Sequence, residues 1–188
     1  MKKTNQPASV YFNDQDEFRQ WLEKNHDNES EIIAGYYKVA TGKPSMTWSE
    51  SVDQAICYGW IDGQKKSYDD RYWLQKFTPR GPKSIWSKIN TGKAERLIAS
   101  GEMHPPGLKA IEAAKSDGRW EAAYASQKNI AIPEDFQAAL DQNSNARAYF
   151  FNLKSAERYS ILVRIQTAGK PETRAKRIQQ FVEMLERS

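Results

Sequence analysis

The sequence predicts an α+β fold, in which a small N-terminal sheet with flanking helices is followed by an all-helical C-terminal half. Two observations carry this prediction. Within residues 10–83, short β-rich segments alternate with segments whose apolar residues recur at helical spacing. From residue 84 onward, only helical spacing recurs. Strands and helices that are segregated along the chain in this way are typical of α+β folds.

The first elements are a short strand at residues 10–12 and the helix that follows it. Asn13 is predicted to cap this helix, because the acidic residues after it suit the positive end of a helix dipole. Phe18 and Leu22 fall on one face of the helix. Residues 32–39 are rich in β-branched and aromatic side chains and predict the second strand.

A capping box opens the second helix, since Glu50 stands three residues after Thr47. The polar side of this helix is predicted to carry Glu50, Asp53, Gln54 and Cys57. The pair Glu50 and Asp53 shares a helix face, which fits acid–base chemistry if the two pKa values are split. The simpler alternative is that Glu50 closes the capping box and Asp53 faces solvent.

Gly59 is predicted to end this helix, because glycine commonly follows the last helical turn. A hairpin comes next, with one strand beginning at residues 60–63 and its partner at residues 71–77. Residues 78–82 then form a stiff loop, because two prolines fix its backbone.

The remaining elements are predicted to be helices. Ser84 is predicted to cap a helix that contains Trp86 and Ile89. Residues 91–92 either interrupt this helix or begin a second cap before residues 97–98. Further helices are predicted at residues 108–115, 133–140, 149–153 and 159–165. The final helix has an apolar stripe formed by Ala175, Ile178, Phe181, Val182 and Leu185. That stripe fits either internal packing or a dimer interface.

Three regions follow from these elements. Residues 1–9 are predicted to be a disordered tail, and residues 10–83 an α/β core with a hairpin. Residues 84–188 are predicted to form a helical region packed on that core as one structural unit. A chain of 188 residues is long enough to fold without disulfides or metal.

The composition predicts a cytoplasmic protein. Cys57 is the single cysteine, so no intramolecular disulfide can form. No apolar segment follows the N-terminal lysines as a signal peptide requires. No apolar run approaches the roughly 20 residues that span a bilayer, so membrane insertion is not expected.

Positive charge is concentrated in two segments of the chain. Residues 64–102 hold nine Lys and Arg against four Asp and Glu, a net charge of +5. Residues 154–188 hold eight against four, a net charge of +4. Such segments are either attractive to polyanions or ordinary solvated faces.

Motifs of the common enzyme classes are missing from the sequence. The only two histidines, His26 and His104, are far apart in the chain, so neither a metal site nor a cofactor is predicted. Cys57 is interpreted as a small buried residue rather than a nucleophile. Glycine-rich phosphate-binding motifs and the nucleophile elbow do not occur. No set of residues argues for an enzyme.

Several segments, in order along the chain, resemble the YdeI/OmpD-associated (bacteriocin-protection) family. They are residues 48–63, 77–80, 84–90, 101–103, 118–120 and 172–178, and the resemblance extends over residues 12–185. It implies a bacterial cytoplasmic protein linked to resistance against bacteriocins or antimicrobial peptides. The family supplies no established catalytic residues to carry over.

The family-like segments give six candidate ligand-binding residues: Trp60, Asp62, Arg80, Ser84, Trp86 and Asn90. Two indole rings would form flat walls, and Arg80 would pair with a carboxylate or phosphate. Arg80 and Lys83 also stand before a predicted helix N-terminus, where anions are favoured. The alternative is structural: Asp62 and Arg80 form an internal ion pair and both tryptophans belong to the core.

Two functions of different classes follow. The first is an accessory protein that binds a small anionic ligand or a protein partner at the six residues. The second is a nucleic-acid-binding protein that uses the basic segments 64–102 and 154–188. The nucleic-acid hypothesis depends on the aromatic side chains among the basic residues, which could stack on bases: Tyr68, Tyr72, Trp73 and Trp86.

Overall fold

The structure, a computed structural model, describes residues 9–187 and confirms the α+β class. The strands are β1 (Ser9–Tyr11), β2 (Ile32–Tyr37), β3 (Trp60–Ser67) and β4 (Tyr72–Pro79). The helices are α1 (Gln15–Asn25), α2 (Trp48–Cys57), α3 (Lys88–Ala99), α4 (Pro105–Ser116), α5 (Glu134–Asp141), α6 (Ser144–Asn152), α7 (Ser155–Gln166) and α8 (Pro171–Glu186). The tail predicted at residues 1–9 lies outside the described residues except for Ser9, which begins β1.

The chain forms two compact units. The sheet unit consists of the described residues up to Ser84 together with Lys93–Ala113. The helical unit consists of Ile85–Gly92 and the described residues from Ala114 onward. Residues 93–113, which the sequence assigned to the helical region, therefore cluster with the sheet.

The sheet of the first unit has the strand order β1-β2-β4-β3. β1 runs parallel to β2, and the other neighbours are antiparallel. The predicted hairpin is present as β3 and β4, with a register shift between Asp62 and Lys65. β2 is shorter than predicted, because Val39–Thr41 forms a 3-10 turn after its last residue, Tyr37.

Helices α1 and α2 pack on one face of the sheet. Phe18 of α1 lies 5.3 Å from Phe77 of β4 between ring centroids. The Tyr36 hydroxyl of β2 donates a 2.7 Å hydrogen bond to Ser51 Oγ of α2. Because side chains alternate across a strand, the residues between these inner positions lie on the outer face.

The cap of α1 differs from the prediction by one residue. Asp14, not Asn13, adopts the extended conformation and accepts hydrogen bonds from the backbone N–H groups of Asp16 and Glu17. The Asn13 backbone N–H donates instead to Glu17 Oε2. Asn and Asp cap equally well, so the sequence alone did not separate the two positions.

The capping box of α2 is confirmed, but its predicted polar side is wrong. Gln54 and Cys57 are each only 1 % exposed. Asp53 does not face solvent freely, because it forms ion pairs with Lys93 and Arg96 of α3 at 2.5 Å each. α2 therefore contacts other elements of the sheet unit on a second side. The amphipathic pattern of a single helix does not reveal such a contact.

α3 begins later than predicted and is not interrupted at residues 91–92. Ser87 Oγ accepts the backbone N–H of Asn90, so Ser87 replaces Ser84 at the N-terminal end. Ser84 Oγ accepts the Gly81 N–H at 3.0 Å and closes the preceding loop. Thr91 remains helical and hydrogen-bonds through its hydroxyl to the Lys88 carbonyl.

The helical unit has its own hydrophobic core, built by α5 to α8. Fully buried members are Phe136, Leu140, Ala146, Phe150 and Ile165. α8 contributes Ile178, Phe181 and Leu185, as its stripe predicted, whereas Ala175 is exposed. Across residues 9–187, every helix is too short or too polar to cross a membrane.

Candidate functional site

A cleft of about 530 Å³ opens on the sheet unit. The end of α1, the turn after α2, the end of β4 and the first turns of α4 surround it. Its lining residues of functional interest are His26, Asp27, Tyr58, Trp60, Arg80 and Lys109. A volume of this size lies within the range of roughly 300–1,000 Å³ that small-molecule sites occupy.

Arg80 is held at the cleft by the backbone around Gly59. The Arg80 N–H donates a 2.9 Å hydrogen bond to the Gly59 carbonyl. Gly59 has a φ of 72°, and a Cβ on it would stand 2.8 Å from the carbonyl oxygen of Pro106. Glycine is therefore required here both for its backbone conformation and for the close approach of α4.

Asp62 and Arg80 interact electrostatically. Burial raises the pKa of the Asp62 carboxyl, whereas its own backbone, a hydrogen bond with Trp48 and the charge of Arg80 act in the opposite direction. The net pKa of the Asp62 carboxyl is raised, because burial outweighs these opposing contributions. The Nε and Nη2 atoms of Arg80 are buried.

The two candidate tryptophans are core residues. Trp60 is 1 % exposed, and its indole N–H donates to the carbonyl of His26 at 3.2 Å. Trp86 is also 1 % exposed and packs 5.0 Å from Trp120 within the helical unit. Neither ring offers a free flat face to a ligand.

The remaining candidates have local roles. Ser84 belongs to the sheet unit and closes the loop before α3. Asn90 belongs to the helical unit and lies in the first turn of α3. Within the sheet unit, the structure thus brings Trp60, Asp62 and Arg80 together. Ligand binding by the six residues stays a prediction.

Sequence reasoning missed a cluster formed by Tyr58 and the two histidines. The rings of Tyr58 and His104 stack at 4.4 Å, and the Tyr58 hydroxyl lies 3.3 Å from His104 Nε2. His26 lies 5.4 Å from Tyr58 on another side. Burial, and then the charge of Glu23, raise the pKa of Tyr58. No sequence signal joins these residues, because the two histidines come from separate elements.

The titratable residues that line the cleft are more cationic than acidic. Arg80 and Lys109 are cationic, and Asp27 is the one carboxylate among the lining residues. Within residues 9–187, no group of three or more His, Cys, Asp or Glu side chains is placed to hold a metal ion.

Comparison with known families assigns both parts of the chain. Residues 10–110 match the model of a domain of unknown function, DUF8412. The chain belongs to the DUF8412 family. Residues 129–188 match the bacteriocin-protection, YdeI or OmpD-associated family, which confirms the resemblance, but only over the C-terminal part. No curated protein and no solved structure matches the chain.

The cleft of this DUF8412 protein lies almost wholly in the segment that the DUF8412 model matches. Of its lining residues, only Ala113 falls outside residues 10–110. The segments at 48–63 and 77–90, which carried most of the resemblance, fall in the same range. The candidate site is therefore a property of the DUF8412 part and not of residues 129–188.

Cys57 of the DUF8412 protein is expected to react slowly with thiol reagents. Its side chain is 1 % exposed, and burial raises its pKa from 9.0 to about 11, although Arg19 acts in the opposite direction. Since the thiolate is the nucleophile, native protein at pH 8 should react with an aromatic disulfide reagent far more slowly than unfolded protein. A native rate equal to that in denaturant would contradict this. The signal is unambiguous because the chain has one cysteine.

Proposed function

We propose that this protein is a cytoplasmic accessory protein that binds a small anionic ligand in the cleft beside Arg80. Its role in the cell would be linked to protection against bacteriocins or antimicrobial peptides. The observation that carries the proposal is the charge of the lining residues, among which Arg80 and Lys109 are cationic and Asp27 is the one carboxylate. The match of residues 129–188 supports the link to protection.

The chemistry of the two cations supports an anion with at least two oxygens. The backbone hydrogen bond from Arg80 to Gly59 fixes where the Arg80 side chain begins, and a guanidinium can pair with a carboxylate or phosphate through two parallel hydrogen bonds. Lys109 extends from an exposed position of α4 and adds a second, flexible charge. The N-terminal end of α4 also borders the cleft, so its partial positive charge acts in the same direction.

The apolar part of the lining supports a ligand larger than a simple ion. Pro79, Pro105, Pro106 and Ala110 border the same cleft. Their contacts would bury the carbon skeleton of an organic acid while the cations hold its charged group. The hydroxyl of Tyr58, which follows the last residue of α2, offers a further hydrogen-bonding group at the cleft.

The test is a binding screen on wild type, Lys109→Gln and Arg80→Lys. The probes are inorganic phosphate, pyrophosphate, citrate, glutamate and adenosine monophosphate, and the readouts are thermal shift and calorimetry. A probe at one hundred times its dissociation constant stabilises the fold by about 2.7 kcal/mol. We expect Lys109→Gln to weaken a bound probe by about tenfold, which is the cost of one charge-assisted hydrogen bond of roughly 1.5 kcal/mol.

A matched control is Lys128→Gln, which removes an exposed lysine from the helical unit. It should leave both the thermal shift and the affinity unchanged. Arg80→Lys keeps the charge and should still weaken binding if the guanidinium forms a two-pronged contact. The proposal fails if no probe binds, or if a bound probe is insensitive to both cleft substitutions.

A further inference from the structure

The outer face of the sheet carries a cluster of four tyrosines, which we name the tyrosine face: Tyr11, Tyr37, Tyr68 and Tyr72. Tyr37 and Tyr72 are directly paired across β2 and β4. Tyr11 of β1 is paired with Gly35 of β2. Tyr68 follows β3 and donates its backbone N–H to the Tyr72 carbonyl. Helices α1 and α2 pack on the opposite face of the sheet.

The four rings form one connected surface. Tyr11 lies 5.4 Å from Tyr37 and 5.3 Å from Tyr72 between ring centroids. Tyr68 stacks on Tyr72 at 5.1 Å with an interplanar angle of 20°. Tyr68 is 44 % exposed, and the other three rings are half-buried. Contiguous aromatic surface that is partly open to solvent is typical of interaction sites.

Gly35 makes this arrangement of rings feasible. A Cβ on Gly35 would stand 2.2 Å from a ring carbon of Tyr11. The Tyr11 ring therefore lies next to the backbone of β2, in the space that the side chain of any other residue would fill. Tyr72 meets Tyr11 at an interplanar angle of 76° and Tyr37 at 88°, so the four rings form a platform of differently oriented faces and edges.

A groove of about 260 Å³ continues from the tyrosine face. Its floor is Ile33 and Leu74, and its sides include Tyr68, Lys66 and Lys76. This volume is slightly below the roughly 300–1,000 Å³ of sites that enclose a whole small molecule. It is more suited to one ring of a longer ligand that extends over the platform.

Cations surround the platform. Lys43 Nζ lies 4.9 Å from the Tyr37 ring centroid, and the Arg71 guanidinium lies 6.0 Å from that of Tyr72. Lys66 is exposed at the groove.

The acids near the platform are mostly engaged in other contacts. Glu31 forms an ion pair with Lys76. Asp69 accepts the backbone N–H groups of Arg71 and Tyr72 and is committed to the hairpin turn. Asp70 is exposed in that turn. Arg71 acts electrostatically on Asp69, whereas Lys43 and Lys66 form no salt bridge with these acids in the described part of the chain.

We propose that the tyrosine face binds single-stranded nucleic acid. Bases stack on Tyr68 and its neighbours, one base enters the groove, and Lys43, Lys66 and Arg71 contact phosphates. Stacking requires an exposed base face, which a single strand offers and a duplex does not. The cations at the platform and groove outnumber the acids there by one charge, which favours a polyanion over a neutral sugar polymer or an apolar peptide. This proposal goes beyond the anion cleft, with which the tyrosine face shares no residue.

The proposal revises which residues of the basic segments would act. Of the four aromatics among them, only Tyr68 and Tyr72 lie on this face. Trp73 stacks on Tyr36 at 4.2 Å on the inner face. Trp86 is buried in the helical unit and cannot accept a base. Tyr11, Tyr37 and Lys43 precede these segments in the chain. The pairing of β1, β2 and β4 brings the two tyrosines beside Tyr72.

The test is fluorescence anisotropy with labelled 12-nucleotide oligothymidylate and oligouridylate across a salt series. Wild type is compared with Tyr68→Ala, Tyr68→Phe and Lys66→Gln. We expect Tyr68→Ala to weaken binding about fivefold or more, as the loss of one stacked base does, and Tyr68→Phe to retain it. Lys66→Gln should reduce the slope of log affinity against log salt by about 0.7, the value for one phosphate of a single strand.

Two substitutions in the helical unit are matched controls. Tyr149→Ala removes a tyrosine that is 39 % exposed, and Lys128→Gln removes an exposed lysine. Both should bind the oligonucleotides like wild type. The proposal is overturned if Tyr68→Ala binds the oligonucleotides like wild type, if a duplex of equal length binds as tightly, or if only a neutral dextran binds.

Discussion

Gly107→Ala is expected to destabilise the sheet unit by about 3 kcal/mol or more, near the upper end of the range for overpacked cores. A Cβ on Gly107 would stand 2.4 Å from the carbonyl oxygen of Cys57, 2.5 Å from Met103 Sδ and 2.7 Å from the carbonyl oxygen of Ile56. The methionine side chain can move, but the two carbonyls belong to the last turn of α2. The first turns of α4 would have to move away from α2.

This loss is large against a total stability of about 5–15 kcal/mol for a typical domain. Urea unfolding followed by circular dichroism measures it directly. The matched control is Gly92→Ala in α3, where a Cβ meets nothing within 4 Å. Since alanine is the better helix former, that variant should gain up to about 1 kcal/mol. Equal midpoints for wild type and Gly107→Ala would show that α2 and α4 do not approach this closely.

Phe136→Ala is expected to cost the helical unit about 3–5 kcal/mol, the usual range for a large aromatic side chain removed from a core. Phe136 is completely buried and meets Phe150 edge-on at a centroid distance of 5.3 Å. The substitution leaves a cavity among α5, α6 and α8 and removes an aromatic pair.

Thermal and urea unfolding of the Phe136→Ala variant measure this cost. Phe151→Ala serves as the control, because Phe151 lies on the same helix as Phe150 but is 44 % exposed. It should change the free energy of unfolding by less than about 1 kcal/mol, as surface substitutions usually do. A small effect of Phe136→Ala, similar to that of Phe151→Ala, would mean that the core of α5 to α8 is not packed as described.

Local chemistry explains which elements the sequence predicted. The capping box at Thr47 and Glu50, the stop at Gly59 and the hairpin depend on residues a few positions apart, and all are present. Ser84 and Ser87 are both good helix caps. In the structure, Ser84 accepts a hydrogen bond within the preceding loop, and Ser87 is left to cap α3. The sequence offered no means to choose between them.

Long-range packing explains what the sequence could not predict. Asp53 was expected in solvent because its own helix pattern places it there, yet Lys93 and Arg96 reach it from α3. Tyr58 and His104 meet across 46 positions of sequence, and Tyr11 reaches Tyr72 only through two strand pairings. Among the candidate site residues, Arg80 was located by its stiff loop, whereas Lys109 could be placed beside it only by the approach of α4 to Gly59.

The order of strands also bears on how the protein resists aggregation. β1 and β3 are the outer strands of the sheet, and the edges of a sheet recruit strands from other molecules. In β3, Lys65 and Lys66 place adjacent positive charges beside an irregularity in the pairing of the strand. A second copy that approached this edge would meet like charges and a backbone out of step with its own.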